Sequence, residues 1–221
     1  MQIGVKPFSA ILNLPMPTLS ETTIQDLLAP YLAERGGFEP PAGLYAQLSC
    51  YLDLLLKWNS RTNLTAIREP EEIVRRHFGE SLFAAWHLAA ETDSLLDLGS
   101  GAGFPGIPIA LVHPQIQVVL AESQNKKASF LREVVRTLGL AHVEVWAGRA
   151  ESLPADRQFH TVTLRAVDNM AAAIAAAEPR AVQQILLLTS AGHLPDLKDF
   201  PNRTQIGVPE SESRVLLRAS R

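Results

Sequence analysis

The chain has one cysteine, Cys50, in 221 residues. A lone thiol excludes an internal disulfide and a cysteine-based zinc cluster, and it favours a reducing compartment, so the chain reads as cytoplasmic. The six histidines, at 77, 87, 113, 142, 160 and 193, show no ligand spacing, and no metal is expected. Long apolar runs are missing as well. None reaches the roughly 20 residues that span a bilayer, and Pro7, Pro15 and Pro17 interrupt the stretch where a signal-peptide core would lie. No membrane partner is expected. Excess positive charge is also lacking: 20 Lys and Arg against 23 Asp and Glu give a formal net charge of −3. Any nucleic-acid contact must therefore be a local patch.

What is present is enough apolar residue, 47% of the chain, for a sizeable core, and a pattern that changes character near residue 91. Before that point the periodicity is helical. Ser20 can cap a helix reaching Leu32, with Thr23 standing in for the usual acid. Leu44, Leu48, Leu52 and Leu55 recur on one face of a helix ending near Asn59. Pro70 with Glu71 and Glu72 marks a further helix start, and another helix is expected from Ser81 to Ala90. After residue 91, short β-branched or apolar runs at 94–98, 116–121, 143–147 and 159–164 alternate with helical ones at 105–113 and 125–140. That alternation predicts βαβ units and a parallel sheet with helices on both faces. In the helix from 125, Phe130, Leu131, Val134, Val135 and Leu138 should face the sheet, and Lys126, Lys127, Arg132 and Arg136 water. An alanine-rich helix ending at Pro179 and strands at 184–189, 204–208 and 214–218 complete the pattern. Trp58, Trp86 and Trp146 fall within these patterns and read as core residues rather than stacking platforms.

The first strand runs into Gly99-Ser100-Gly101-Ala102-Gly103, a turn in which a ligand can lie against main chain. A dinucleotide fingerprint would need a third glycine where Phe104 stands, and Pro105 and Pro108 remove two N–H donors from the next helix. The turn is therefore poor for a pyrophosphate. It suits a zwitterion such as the methionyl end of S-adenosylmethionine, with Asp97 answering the amine directly or through water. Glu122, about twenty residues on, is placed to accept two ribose hydroxyls, a role that serves NAD and S-adenosylmethionine alike. No Cys or Ser nucleophile constellation accompanies the turn.

These residues resemble the bacterial GidB/RsmG family from about Tyr51 to Val167. The match is carried by Lys57-Trp58-Asn59, Asn63-Leu64-Thr65, Arg76-His77, Glu80-Ser81, Asp97 through Pro108 with its Phe-Pro-Gly-Ile-Pro, Glu122-Ser123, Lys126, Phe130-Leu131, Gly148-Arg149-Ala150-Glu151 and Arg165-Ala166. The resemblance implies a class I methyltransferase Rossmann-like fold, with a mostly parallel seven-stranded sheet, an antiparallel C-terminal strand and an N-terminal helical extension. The extension would be 1–90 and the S-adenosylmethionine-binding domain 91–221. It further implies methyl transfer to N7 of a guanine in 16S ribosomal RNA of the small subunit; the chain is expected to be a monomer. Gly99, Gly101 and Phe104 would line the methionyl group, Glu122 the ribose, and Ala150 with Glu151 the adenine, with Asp97 and Ser123 also among the cofactor-binding residues. Arg165 would stand where cofactor and guanine meet, with Arg149 and Asn63 as further catalytic candidates. Lys57, Asn63, Arg76, His77 and Lys126 would hold RNA. Two departures stand out: Glu80 where the family commonly has Asp, and Thr189-Ser190 where it tends to carry Lys-Gly. The missing lysine leaves open a binding protein without activity, and the residues alone also admit a small-molecule methyltransferase.

Overall fold

The computed structural model describes residues 17–33, 39–166, 169–192 and 194–221; Pro7, Pro15, Val167 and His193 lie outside them. Helix α1 (Glu21–Leu32) is capped by Ser20, whose side chain accepts from the Thr23 N–H, as the local sequence predicts. Helix α2 covers Leu44–Asn59. The next segment corrects the expectation of two separate helices, the second running to residue 90. Instead α3 (Pro70–Ile73) passes into a π-helical turn (Val74–Gly79) and on into α4 (Glu80–Ala85) without a break. Pro70 at the start is harmless because the first helical N–H has no partner to lose. Gly79 lets α1 sit close: a Cβ there would lie 2.6 Å from ring atoms of Tyr31.

Seven strands follow: β1 (Ser94–Leu98), β2 (Gln117–Glu122), β3 (Val143–Ala147), β4 (Phe159–Arg165), β5 (Ala181–Ser190), β6 (Asn202–Gly207) and β7 (Arg214–Ser220). They form one sheet in the order β3-β2-β1-β4-β5-β7-β6. The first five run parallel to one another, and β7 lies antiparallel between β5 and β6. Helices α5 (Gly106–Val112), α6 (Asn125–Leu138) and α7 (Met170–Ala177) connect them. This is the mixed, mostly parallel sheet that the alternation and the resemblance together predict.

Alternate strand residues feed two cores, as the period of two requires. Leu95 packs with α5, α6 and the helices of the extension, while Leu96 and Leu98 pack with α7. One continuous core thus joins residues 24 to 143. On α6, Phe130, Leu131, Val134 and Leu138 are buried, and Lys126, Arg132 and Arg136 are exposed; Lys127 is half-buried rather than solvated. Trp86 is buried, while Trp58 and Trp146 are half-buried against the cores. Among the described residues no helix is long and apolar enough to cross a membrane.

The chain moves outward from β1 to β3 and then returns to β4, so the direction of winding reverses between β1 and β4. Ligands of such sheets bind outside the carboxyl ends of the strands at this point. Leu98 pairs with both Ala121 and Leu164, which brings Gly99, Glu122 and Arg165 level along that edge.

Candidate active site

The turn after β1 adopts left-handed backbone at Gly99, Gly101 and Gly103, with φ of 71°, 60° and 93°. The glycines differ in what they make possible. A Cβ on Gly103 would lie 2.5 Å from Ile107 Cδ1, and one on Gly106 would lie 2.4 Å from Leu120 Cδ2 and 2.8 Å from the Asp97 carboxylate, whereas one on Gly101 meets nothing closer than 3.8 Å. Gly103 and Gly106 serve internal packing; Gly101 leaves room for a ligand. Gly106→Ala is therefore expected to cost about 2–3 kcal/mol of stability through overpacking. Gly101→Ala should cost only about 1 kcal/mol of backbone strain while abolishing cofactor binding. Thermal denaturation and S-adenosylhomocysteine titration of both variants check the split.

Most donors of the turn are already used. Gly99 and Ser100 donate to the Ala121 carbonyl, Gly103 and Phe104 to that of Ser100, and Ile107 to that of Gly103. Gly101 donates to Glu122 Oε2 at 2.9 Å and Gly106 to Asp97 Oδ2 at 3.1 Å. With Pro105 and Pro108 bringing none, the turn has little to offer a phosphate, and its backbone suits a cation better.

Asp97 does not line the cavity. It is buried behind the turn, accepting from Gly106 and, at 2.9 Å, from Thr163 Oγ1, so it ties β1, β4 and α5 together. Burial pushes its carboxyl up to about 6, against the pull of the hydrogen bonds from Thr163, Ser100 and Gly106. A raised folded-state pKa means stability that is full below about pH 4 and lost as pH rises through 6. Relative to Asp97→Asn, the native protein is expected to lose about 3 kcal/mol across that window. Denaturant titrations of both proteins at pH 4 and pH 7 would show it.

Facing the turn is a cavity of about 480 Å³, lined by the 64–67 loop, Arg76, His77, the glycine turn, Phe104, Glu122, Ser123, Lys127, Arg165 and Arg214. Glu122 is buried at the end of β2, and its Oε1 accepts from the Gln124 N–H at 2.7 Å. The cradle fits S-adenosylmethionine: open space over Gly101, a fixed carboxylate for a ribose, and a turn whose N–H donors are mostly taken. Arg149, Ala150 and Glu151 lie beyond this lining at the end of β3, where Ala150–Ser152 form a 3₁₀ turn. Lys57, Asn63 and Lys126 are exposed outside it, with Asn63 Oδ1 accepting from Arg68 at 3.3 Å. The loop is instead organised by buried Asn59, which accepts from the Leu64 and Thr65 N–H groups and donates to the Thr65 carbonyl.

Phe104 lines the cavity with its ring packed by its neighbours. His77 lies on it at 4.8 Å and Tyr51 at 5.4 Å, both nearly parallel, and the Arg165 guanidinium is 5.8 Å from its centroid. The Tyr51 hydroxyl also donates to the Ala102 carbonyl, so the extension directly braces the turn. His77 Nε2 is 2.7 Å from Thr65 Oγ1. Burial, with Arg165, Arg76 and Arg214 nearby, holds its ring well below the usual histidine range, so it is neutral at physiological pH.

The feature that sequence reading missed is the setting of Glu80. This carboxylate is 1% exposed and takes Arg76 Nε at 3.0 Å, Arg214 Nη2 at 2.9 Å and Arg165 Nη2 at 3.2 Å. Arg165 also donates to the Arg76 carbonyl at 2.7 Å. The next residue, Ala166, is left-handed (φ 49°), a conformation that costs a non-glycine residue about 1 kcal/mol. Only the spacing of Arg76 and Glu80, one helical turn apart, signals any of this locally. Among the described residues no group of three or more His, Cys, Asp or Glu could hold a metal.

Solved structures share the fold. The complex of MtNAS with MTA and tNA aligns with a TM-score of 0.54 at 14% identity, covering 80% of this chain and 73% of that one. M. jannaschii TYW2 in complex with AdoMet aligns at 0.53 and 12%, covering 65% and 74%. Closer in sequence is a ribosomal RNA small subunit methyltransferase G from Xanthomonas euvesicatoria, 46% identical over 134 residues, 61% of this chain and 62% of the relative. One of the same name from Xylella fastidiosa is 50% identical over 123 residues, 56% of this chain and 57% of that one. The matched part thus spans less than two thirds of either relative. The model of the GidB family, rRNA small subunit methyltransferase G, matches residues 44–214, well over half of the chain, and the chain belongs to that family.

Proposed function

We propose that the chain is an S-adenosylmethionine-dependent methyltransferase that modifies N7 of a guanine in 16S ribosomal RNA. It would act in the cytoplasm as a monomer on the small ribosomal subunit, without a metal. The observation that carries this reading is the cradle: a donor-depleted glycine turn level with Glu122 and Arg165, in a chain of the GidB family. In this reading 91–221 holds the cofactor and 1–90 closes the substrate side. Glu122 and Ser123 hold the ribose, Ala150 and Glu151 the adenine, and Gly99 and Gly101 the methionyl end, with Asp97 acting through the turn rather than on the amine.

When bound, S-adenosylmethionine supplies an electrophilic methyl group on a sulfonium. Guanine N7 carries an in-plane lone pair, so no general base is required and rate comes from orientation and electrostatics. Arg165, fixed by Glu80 and the Arg76 carbonyl, is rigid enough to orient the base. Its contact must be to O6 or to a phosphate, because a bidentate grip on O6 and N7 would occupy the attacking pair. Neutral His77 contributes shape rather than charge. Arg149, Asn63, Lys57 and Lys126, exposed outside the cavity lining, and Arg76, at the cavity wall, are the proposed RNA contacts.

The test is methyl transfer to small subunits lacking the modification, read by mass spectrometry of the RNA. One added methyl on guanine is expected. Binding of S-adenosylmethionine without transfer would reduce the protein to a binding role, and transfer to metabolites alone would make it a small-molecule enzyme.

A further inference from the structure

Lys127 lines the cavity beside Glu122, Ser123 and Gln124. It stands one helical turn before Phe130 and Leu131, on the side of α6 that packs inward, whereas its neighbour Lys126 is exposed. Helical side chains slope toward the N-terminus, so this position carries the Lys127 stem along the packed face toward the carboxyl end of β2. The other cations of the lining, Arg76, Arg165 and Arg214, converge on Glu80. Among the described residues the Lys127 ammonium forms neither an ion pair nor a hydrogen bond. Helix stability gives no reason for a lysine there: the first turn of α6 contains no acid, and a cation at a helix start opposes the helix dipole.

In the methyltransferase reading the cofactor brings one carboxylate into this cavity, at its methionyl end. Most N–H donors of the glycine turn are spent on internal acceptors, so the turn has little to hold that group with. Glu122, fixed in the same cavity, repels it. A carboxylate taken out of water between such neighbours needs a counter-charge. We infer, resting on the methyltransferase reading for the identity of the ligand, that Lys127 binds the methionyl carboxylate of the cofactor through its ammonium. The rival oxyanion of the same chemistry is a phosphate of the RNA. Position favours the carboxylate. Lys127 follows β2, on the same side of β1 as Glu122, while Arg165 on β4 and Arg214 on β7 stand on the other side in the sheet order.

The experiment compares S-adenosylhomocysteine with its decarboxylated analogue, which keeps the adenosine, the thioether and the amine and lacks only the carboxylate. Titration calorimetry measures both in the native protein, Lys127→Gln, Lys127→Arg and Lys126→Gln. The native protein is expected to prefer S-adenosylhomocysteine by about tenfold, the worth of one charge-assisted hydrogen bond. Lys127→Gln should bring S-adenosylhomocysteine down to the level of the analogue without weakening the analogue, and Lys127→Arg, which keeps the charge, should retain most of the preference. Lys126→Gln removes the same charge from the exposed neighbour and should keep the native ratio. A preference that survives Lys127→Gln overturns the assignment. So does equal weakening of both ligands, which would make the lysine a packing residue, or an equal loss in Lys126→Gln, which would make the effect a diffuse field. A native preference in Lys127→Gln together with a raised KM for small subunits would give the lysine to a substrate phosphate instead, and the carboxylate assignment falls. Thermal denaturation of Lys127→Gln and Lys127→Arg separates these results from misfolding. A native protein that binds neither ligand would sink the cofactor reading and the lysine with it. A Lys127-dependent preference without methyl transfer would sink the enzyme reading alone and leave the lysine standing.

Discussion

Glu80→Ala is expected to lower the stability of the folded chain by about 3–5 kcal/mol, because it strips the counter-charge from cations that stay buried. In a chain of this size that is a fall in Tm of roughly 10–15 °C. The carboxylate is almost fully enclosed, and two of its three partners, Arg165 and Arg214, are 8% and 18% exposed. Neither guanidinium can shed its proton at neutral pH, so without Glu80 each must either move to water or remain uncompensated. Arg76, at 38% exposure, can turn outward toward Glu72, and its share of the loss is correspondingly small. Glu80→Gln keeps one acceptor and the side-chain volume and should lose about half as much. Thermal and denaturant unfolding of the two variants measure this. A loss under about 1 kcal/mol for Glu80→Ala would show that the arginines are solvated and that the hub is an accident of side-chain placement.

The second large effect is expected on binding. Glu122→Ala should weaken S-adenosylhomocysteine by about 100-fold, since it removes a fixed carboxylate that can take two ribose hydroxyls in charge-assisted hydrogen bonds. Part of the loss is indirect. Glu122 already accepts from the N–H groups of Gly101 and Gln124, so the variant also releases the turn. Glu122→Gln separates the two contributions: its carbonyl still accepts from one backbone N–H, while its amide cannot accept from the other. Titration calorimetry with S-adenosylhomocysteine and with methionine alone completes the test. Unchanged affinity for S-adenosylhomocysteine in Glu122→Ala would remove the ribose assignment.

Much of the architecture was legible from local pattern. The change from helical to alternating periodicity near residue 91, the Ser20 cap and the apolar face of α6 all hold in the structure. Each depends on residues within a turn or two of one another. The misreading lay in the segment from residue 70 to 90, read as two helices with the second running from Ser81 to Ala90. There the packing of Tyr31 against Gly79 keeps the chain helical through a π turn. Periodicity cannot reveal a contact made by a residue 48 positions earlier.

The same division runs through the candidate site. Sequence by itself determined the sheet, the glycine turn, the want of phosphate donors from Pro105 and Pro108, and the position of Glu122, because turn chemistry and strand ends are written in consecutive residues. Only the tertiary structure decided that Asp97 points inward to Gly106 and Thr163, that His77 is neutral, and that Phe104 is stacked by His77 and Tyr51. It alone joined Glu80 to Arg214, 134 residues away, at the edge where a lysine is absent. The physical reason is that charge state and partner choice are set by burial and strand register, which bring together side chains that no local spacing relates.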